Sequence, residues 1–352
     1  MAAGHRLSER FSATGEAAPF RRRERHRGRA SQQITRLSII IVNFCQWQNT
    51  FELVEQLRQS NSFREGRADI VIADNHSPSD PLCDQLRSTE GVTIRQFARN
   101  LGFARAVNEA CHLSRGHWVL LLNPDMRVEP GFLDRVEAEI RKMDKESNRI
   151  GVVGFRLRHG DGTRQASSGP FPTFMRTITG LFAPRALRKC KLNSARKPTH
   201  VPWVTGCCLL VRRECLQELQ GFDEDYFLYY EDVDFCRRAK QADWNVMYNP
   251  RIEVTHFHPL HTREVPAPLR VMTRHALLMY SWKHWPRWQA ILLCGMVWLE
   301  AKYRLYQKPS EQANQDLRQL FYFFINDDRI GLHDVIHENA GRLEDLAANN
   351  RL

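Results

Sequence analysis

"LLLNPDMRV", residues 120–128, decides how this chain folds. Four apolar residues in a row, Val119 to Leu122, stop abruptly at Asn-Pro-Asp. That tripeptide is good turn chemistry, because Pro fixes φ and Asn or Asp hydrogen-bond their own backbone. A plain turn would account for it. The alternative is that Asp125 sits at the carboxyl end of a central strand, the place where open α/β sheets put ligand-binding groups. The rest of the chain decides between the two.

Upstream, short apolar runs alternate with amphipathic stretches. "LSIIIVNF" (37–44), "ADIVIADN" (68–75), "GVTIRQF" (91–97) and "HWVLLLN" (117–123) read as strands. "TFELVEQLRQS" (50–60), "PLCDQLRS" (81–88) and "FARAVNEACHLS" (103–114) read as the helices between them. Strands apolar on both faces and separated by helices imply a doubly wound, mostly parallel sheet covered on both sides. The crevice past its strand ends would be lined by Asn43, Asp74, Asn75, Asn100, Asn123 and Asp125. No G-x-G-x-x-G and no G-x-x-x-x-G-K-[ST] occurs, which argues against a dinucleotide oxidoreductase and a P-loop enzyme.

Downstream, a helix is expected over 131–143, a strand over "RIGVVGFRL" (149–157) and a hairpin-type turn at "GDG" (160–162). Residues 166–200 lack periodicity and read as a long, partly mobile loop. "VPWVTGCCLLVRR" (201–213) reads as one strand, and "GFDEDYFLYYEDVDFCRRAKQADWNVMYNP" (221–250) as an aromatic-acidic stretch leading into a helix and a strand. Beyond Pro266 the pattern is helical, with Trp, Lys and Arg interleaved over 269–306. The domain reading is a disordered basic arm over 1–35, an α/β domain over 36–265 with a division at residue 125, and a helical region over 266–352.

With 352 residues and 42% hydrophobic content, the chain can bury a sizeable core. Its longest apolar run, Ala290 to Leu299, is well short of the roughly 20 residues a membrane span needs. The net charge is +11, and the first thirty residues hold eight Arg against three Glu. An organelle presequence is the competing reading of that arm, weakened by its acids and its lack of an amphipathic pattern. "PRALRKCKLNSARKPTH" (184–200) carries six Lys or Arg and no acid. Such concentration points to an anionic partner or to a merely solvated loop. None of the nine cysteines forms a C-x-x-C pair, so reduced thiols in a cytosolic protein are expected. The interleaved Trp and cations of 269–306 have the composition of an interfacial helix, with a buried helical pair as the alternative.

Acids concentrate at two places, the strand ends with Asp74 and Asp125, and the helix start with Glu231, Asp232 and Asp234. A hard cation holding a diphosphate needs only one or two carboxylates, because phosphate and water oxygens fill its other positions. Asp125 with one His from "VTHFHPLH" (254–261) would suit Mg2+ or Mn2+. Acids at a helix start are often only dipole-stabilising caps. Here they follow "FLYY" directly, a context that fits the edge of a pocket.

Several stretches together resemble an inverting glycosyltransferase of family 2 with the GT-A fold, in the subgroup of rhamnosyltransferases and galactofuranosyltransferases. "IIIVNF", "IADNHSPSD", "ARNLGFARAVNEA", "LLLNPDMRVEPGFL", "WVTGCCLLVRRE", the 221–250 stretch and "VTHFHP" occur in the family's order over roughly 36–305. Two departures are Ala106, where Gly is usual, and the lack of Gly and Ser after the histidines in "HFHPLHTREV".

The resemblance implies that Asp74 binds the base and that Asn43, Asn100, Asn108 and Asn123 shape the nucleotide pocket. Asp125 and His256 would hold a divalent cation, with His258 the rival ligand. Asp232 would be the general base, with Glu231 and Trp203 on the acceptor side, and Trp203, Thr205 and the 160–175 segment near the donor sugar. The implied donor is a nucleotide-diphosphate sugar, dTDP-rhamnose first, with galactofuranose or another hexose as the alternative. The implied acceptor is lipid-linked or a polysaccharide, and the protein would sit peripherally at the inner face of the cell membrane. A nucleotidyltransferase would need a Gly- and Arg-rich loop after the first strand, which "NFCQWQNT" (43–50) lacks. A nucleic-acid-binding protein would interleave aromatics with its basic runs. The arm has only Phe11 and Phe20, and 184–200 has none.

Overall fold

Strand β1 (Leu37–Asn43) shows why the sheet forms where it does. Its side chains alternate between two separate cores: Leu37, Ile39 and Ile41 enter one, and Ile40 enters the other. A strand whose successive side chains point to opposite faces must be apolar throughout when both faces are covered. The same alternation runs through β2 (Ala68–Asp74) and β4 (Trp118–Leu122), where Leu120 and Leu122 face one core and Val119 and Leu121 the other. Truncating one such side chain, as in Leu120→Ala, costs about 2–5 kcal/mol.

The computed structural model describes residues 37–146, 149–180, 190–257 and 265–348, all within one compact unit. After β1 come α1 (Trp47–Leu57), the short α2 (Asn61–Arg64), β2, α3 (Pro81–Arg87), β3 (Val92–Gln96), α4 (Phe103–Leu113), β4, β5 (Met126–Arg127) and α5 (Phe132–Met143). Helix α3 starts where Asp80 accepts from the Leu82 amide at 2.8 Å and Pro81 occupies the first turn, a good N-cap followed by a residue pre-set for the helix. The second half comprises β6 (Ile150–Arg158), β7 (Arg164–Gln165), β8 (Ser168–Gly169), α6 (Phe174–Gly180), β9 (Thr199–His200), β10 (Trp203–Val204), β11 (Cys208–Arg212), α7 (Arg213–Glu218), α8 (Glu231–Gln241) and β12 (Asn245–His256). Four helices follow: α9 (Ala267–His284), α10 (Arg287–Gln307), α11 (Gln312–Asn326) and α12 (Arg329–Ala348).

The main sheet runs β3-β2-β1-β4-β11-β6-β12-β5. Pairings on the β3 side of β4 are parallel, while β11 lies antiparallel between β4 and β6. The sheet is therefore mixed at its centre. The expected strand over 201–213 is two short strands in different sheets, with Thr205, Gly206 and Cys207 between them. The chain breaks there because the Gly206 amide is diverted to the Asp232 carboxylate at 3.0 Å. Residues 166–200, expected to be an irregular loop, contain β8, α6 and β9. The helical stretch 269–306 divides at Pro286, which cannot continue the hydrogen bonding of α9. A third core joins α9 to α12, with Phe227 inserted from the main domain. The basic arm, residues 184–189 and His258 lie outside the described residues.

Candidate active site

The donor side is built by register. In the parallel ladder of β1 and β2, Asn43 stands opposite Asp74. Asn43 Nδ2 donates to Asp74 Oδ1 at 3.0 Å, Thr50 Oγ1 donates to Asn43 Oδ1 at 2.9 Å, and Gln96 from β3 donates to the other Asp74 oxygen at 3.2 Å. Next along, Asn75 Nδ2 donates to Asn100 Oδ1 at 2.7 Å, and Asn75 Oδ1 accepts from the Leu101 amide at 2.8 Å. The strand ends are thus one buried network with fixed side-chain directions, which is the kind of frame a planar base needs. Three turns at this rim are held at positive φ, at Cys45, His76 and Gly102 (82°). At Gly102 a Cβ would lie 2.6 Å from the Phe227 carbonyl, so only glycine lets α4 approach the 222–230 segment.

Asn108 does not join this network. Its amide donates to the Phe222 carbonyl at 2.8 Å and to Glu224 at 2.9 Å, and its oxygen accepts from the Phe222 amide at 2.9 Å. It latches α4 to the 222–224 turn. Asn123 ties β4 to the residue before β11 through its amide and the Cys207 carbonyl, 2.9 Å apart. Glu344 of α12 also reaches this rim, with its carboxylate 3.9 Å from His76 Nε2. Burial raises its pKa. Nothing in the sequence pattern pointed to it.

Asp125 follows the end of β4, and the antiparallel pairing of β5 with β12 sets His256 opposite Met126. That register brings His256 Nε2 to 3.2 Å from Asp125 Oδ2, both groups buried. Burial works against a charged imidazole, but Cys207 and the Asp125 carboxylate outweigh it and hold the pKa of His256 above the usual histidine range. An octahedral ion with donors at about 2.1 Å separates neighbouring donor atoms by about 3 Å. The oxygen–nitrogen pair therefore fits one edge of a Mg2+ or Mn2+ shell. No group of three His, Cys, Asp or Glu able to hold a metal occurs among the described residues, so a cation here would draw its other ligands from diphosphate and water.

Behind His256, Gln165 Nε2 lies 3.0 Å from Nδ1. Its Oε1 is buried without a hydrogen-bond partner. Rotating the amide by 180° would let Oε1 accept from His256 Nδ1–H, the tautomer in which a neutral His256 presents its Nε2 lone pair on the Asp125 side. Such an outer partner is what a metal-binding imidazole requires. Gln165 was not singled out in the sequence, although the turn at 160–162 implied a hairpin that sets it opposite Leu157.

Helix α8 supplies the acids. Tyr229 and Tyr230, immediately before it, adopt φ of 72° and 68°, a left-handed pair that costs roughly 1–3 kcal/mol per residue. This strained corner turns Glu231 and Asp232 inward, and both are buried. Asp232 Oδ2 accepts from the Gly206 amide at 3.0 Å and Oδ1 from the Val233 amide at 2.8 Å. Asp234 is spent elsewhere, lying 2.6 Å from His284 Nε2 and 2.7 Å from Arg238 Nε. Despite burial, the hydrogen bond from His284 and the Arg238 guanidinium hold its pKa below the usual carboxylate range. Trp203 is fully buried and donates its indole N–H to the Pro170 carbonyl at 2.9 Å. It packs in the core.

Comparison with known proteins gives the family and the fold. Residues 36–276 match the family described as "Glycosyltransferase like family 2". An N-acetylglucosaminyl-diphospho-decaprenol L-rhamnosyltransferase of Mycobacterium tuberculosis is 30% identical over 247 residues, 63% of this chain and 78% of its own length. The rhamnosyltransferase WbbL of Escherichia coli is 23% identical over 58% of this chain and 79% of its own. Among solved structures, GalNAc-T7 with UDP, GalNAc and Mn2+ superposes with a TM-score of 0.53 at 15% identity, over 86% of this chain and 58% of that one. With residues 36–276 matched by the family and the GT-A fold in place, the chain belongs to glycosyltransferase family 2 and is a glycosyltransferase.

Proposed function

We propose that this protein transfers a sugar, rhamnose from dTDP-rhamnose first, from a nucleotide-diphosphate donor to a lipid-linked or polysaccharide acceptor, with inversion at the anomeric carbon. The observation that carries the reading is the buried Asp125–His256 pair at the carboxyl end of β4, 3.2 Å apart. The Mycobacterium tuberculosis relative, named for rhamnose transfer to a diphospho-decaprenol acceptor, supports the choice of sugar and of a lipid-linked acceptor. Asp74, Asn43 and Asn100 hold the nucleoside, with Asn123 beside the diphosphate. Asp125 and His256 would hold a divalent cation, Mg2+ or Mn2+, which when bound would supply positive charge to the departing nucleoside diphosphate. Asp232 takes the proton from the attacking acceptor hydroxyl, and Glu231 holds that hydroxyl in line. A single displacement breaks the C1–O bond to the diphosphate as the new glycosidic bond forms.

In this reading, 36–125 serves the donor, 126–265 the acceptor, and 266–352 the membrane. No helix among the described residues is long and apolar enough to cross a membrane. Helix α10 nevertheless exposes Trp288, Leu292, Leu299 and Tyr303 at intervals that keep to one face. That stripe, with Lys302 and Arg287 beside it, suits peripheral attachment to an anionic inner leaflet. The reading is tested by incubating the purified protein with a panel of nucleotide sugars and a diphospholipid-linked sugar, with and without Mn2+. Metal-dependent release of dTDP from dTDP-rhamnose with product formation is expected. Transfer from another donor alone overturns the sugar assignment, and no transfer from any donor overturns the reading.

A further inference from the structure

Helix α12 carries one acid to the donor rim. The helix is docked by Leu332, Val335, Ile336, Ala340 and Leu343, all buried in the third core. Asp316 of α11 sets its register by accepting from Asn339 Nδ2 at 2.8 Å and from Arg342. Glu344 follows Leu343 directly, so the packing that holds the helix also fixes where this side chain starts.

The Glu344 carboxylate meets residues just beyond the ends of three neighbouring strands. It lies 3.9 Å from His76 Nε2, past the end of β2. Burial raises its pKa, and His76 and a hydrogen bond from Asn100, past the end of β3, oppose the rise. Asn100 spends its side-chain oxygen on Asn75 Nδ2 and the Gly102 amide, at 2.7 and 3.0 Å, which leaves its amide N–H2 as the group that reaches Glu344. Cys45, past the end of β1, feels the same carboxylate: burial, then Asp74 and Glu344, push its thiol up to about 11.

An acid here is an unusual neighbour for a nucleoside diphosphate. Like charges repel, and an ionised carboxylate can only accept hydrogen bonds. The diphosphate offers none. In dTDP the neutral donors are the 3′ hydroxyl of the pentose and the N3–H of thymine. Both oxygens of Asp74 already accept, from Asn43 and Gln96 at 3.0 and 3.2 Å. His76 stands beyond hydrogen-bond reach of Glu344, whose side chain keeps 29% of its surface exposed.

We infer, on the donor reading given above, that Glu344 is a binding residue for the nucleoside half of the donor, its carboxylate accepting from the pentose hydroxyl or the base N–H. The nucleotide site then extends past residue 276, where the family match ends, into the C-terminal helices.

Calorimetric titration of the full chain at constant Mn2+ with dTDP, its 3′-deoxy analogue and its N3-methyl analogue tests the assignment. Glu344→Ala should bind dTDP about 10-fold or more weakly than wild type does, the range for a hydrogen bond to a charged group. The same variant should no longer distinguish dTDP from one of the analogues, which wild type binds more weakly. Loss of that distinction for the 3′-deoxy analogue puts the carboxylate on the pentose, and for the N3-methyl analogue on the base. Glu344→Gln, which keeps an acceptor oxygen, should recover part of the loss. A residue that only anchors α12 would lower affinity for all three ligands by the same factor, and that result overturns the inference. Unchanged dTDP affinity in Glu344→Ala overturns it too, as does tighter binding, which would show that the carboxylate merely repels the diphosphate. No dTDP binding by wild type overturns the donor reading and the role of Glu344 with it, whereas dTDP binding without coupling to either analogue overturns the role of Glu344 alone.

Discussion

His256 and Asp125, 131 positions apart in the chain, meet at 3.2 Å because β12 runs antiparallel to the two-residue strand β5 that follows Asp125. The Phe257 amide donates to the Asp125 carbonyl at 3.1 Å, so backbone and side chains lock the same junction. A pair fixed by sheet register needs little reorganisation to share an ion. Asp125→Ala should abolish Mn2+-dependent binding of a nucleoside diphosphate measured by calorimetry. His256→Ala should weaken it less, since water replaces an imidazole more readily than a carboxylate. Unchanged affinity and unchanged Mn2+ dependence in Asp125→Ala would sink the metal assignment.

Gln165 should behave as a positioning residue for that pair. Gln165→Leu removes the partner of His256 Nδ1, 3.0 Å away, and outer partners of this kind are worth about 10–100-fold in metal affinity. The expected result is Mn2+ affinity lowered by that factor, with nucleotide affinity in the absence of metal unchanged. Gln165→Glu, which still accepts from Nδ1–H, should restore most of the loss. A variant that only loses thermal stability, with metal affinity intact, refutes the role.

The parallel half of the fold was legible because β1, β2 and β4 are apolar on both faces and end in or run into a polar residue, Asn43, Asp74 and Asn123. Local patterning cannot reveal antiparallel insertion, so the placement of β11 between β4 and β6 and the split at Gly206 were not foreseen. Asp125 and His256 were both legible as residue types, but their contact depends on a two-residue strand too short to leave a pattern. Asn108 and Trp203 matched a motif while their polar atoms were committed to Phe222 and Pro170. Sequence identifies a side chain without saying what that side chain has already bonded. Gln165 and Glu344 reach the site through a hairpin and a distant helix, and both required the tertiary structure.

His275 should make the protein acid-labile. It is fully buried on α9 with Nδ1 lacking a hydrogen-bond partner, and burial pulls its pKa down from 6.5 to about 4. A pKa depressed in the folded state leaves the imidazole neutral there while the unfolded chain takes up a proton below about 6.5. Stability should therefore be unaffected by this group above pH 6.5 and fall progressively between pH 6.5 and 4, by about 3 kcal/mol at about 1.4 kcal/mol per unit. Urea unfolding of His275→Gln over that range should show a shallower decline than wild type. Parallel declines would show that other groups govern the acid transition.

Asp232 should separate chemistry from binding. Its carboxylate is fixed by the Gly206 and Val233 amides at 3.0 and 2.8 Å, and the turn before it is strained at Tyr229 and Tyr230. The side chain therefore cannot swing away to let another group substitute. Asp232→Asn keeps the size but cannot accept the acceptor proton, so kcat should fall by about 10² or more while donor affinity survives. Glu231→Gln should raise the acceptor KM with a smaller effect on donor binding. Steady-state kinetics of both variants against acceptor and donor decide the matter. If Asp232→Asn keeps most of its turnover while Glu231→Gln is inactive, the base is Glu231, and the Gly206 contact serves only to cap α8.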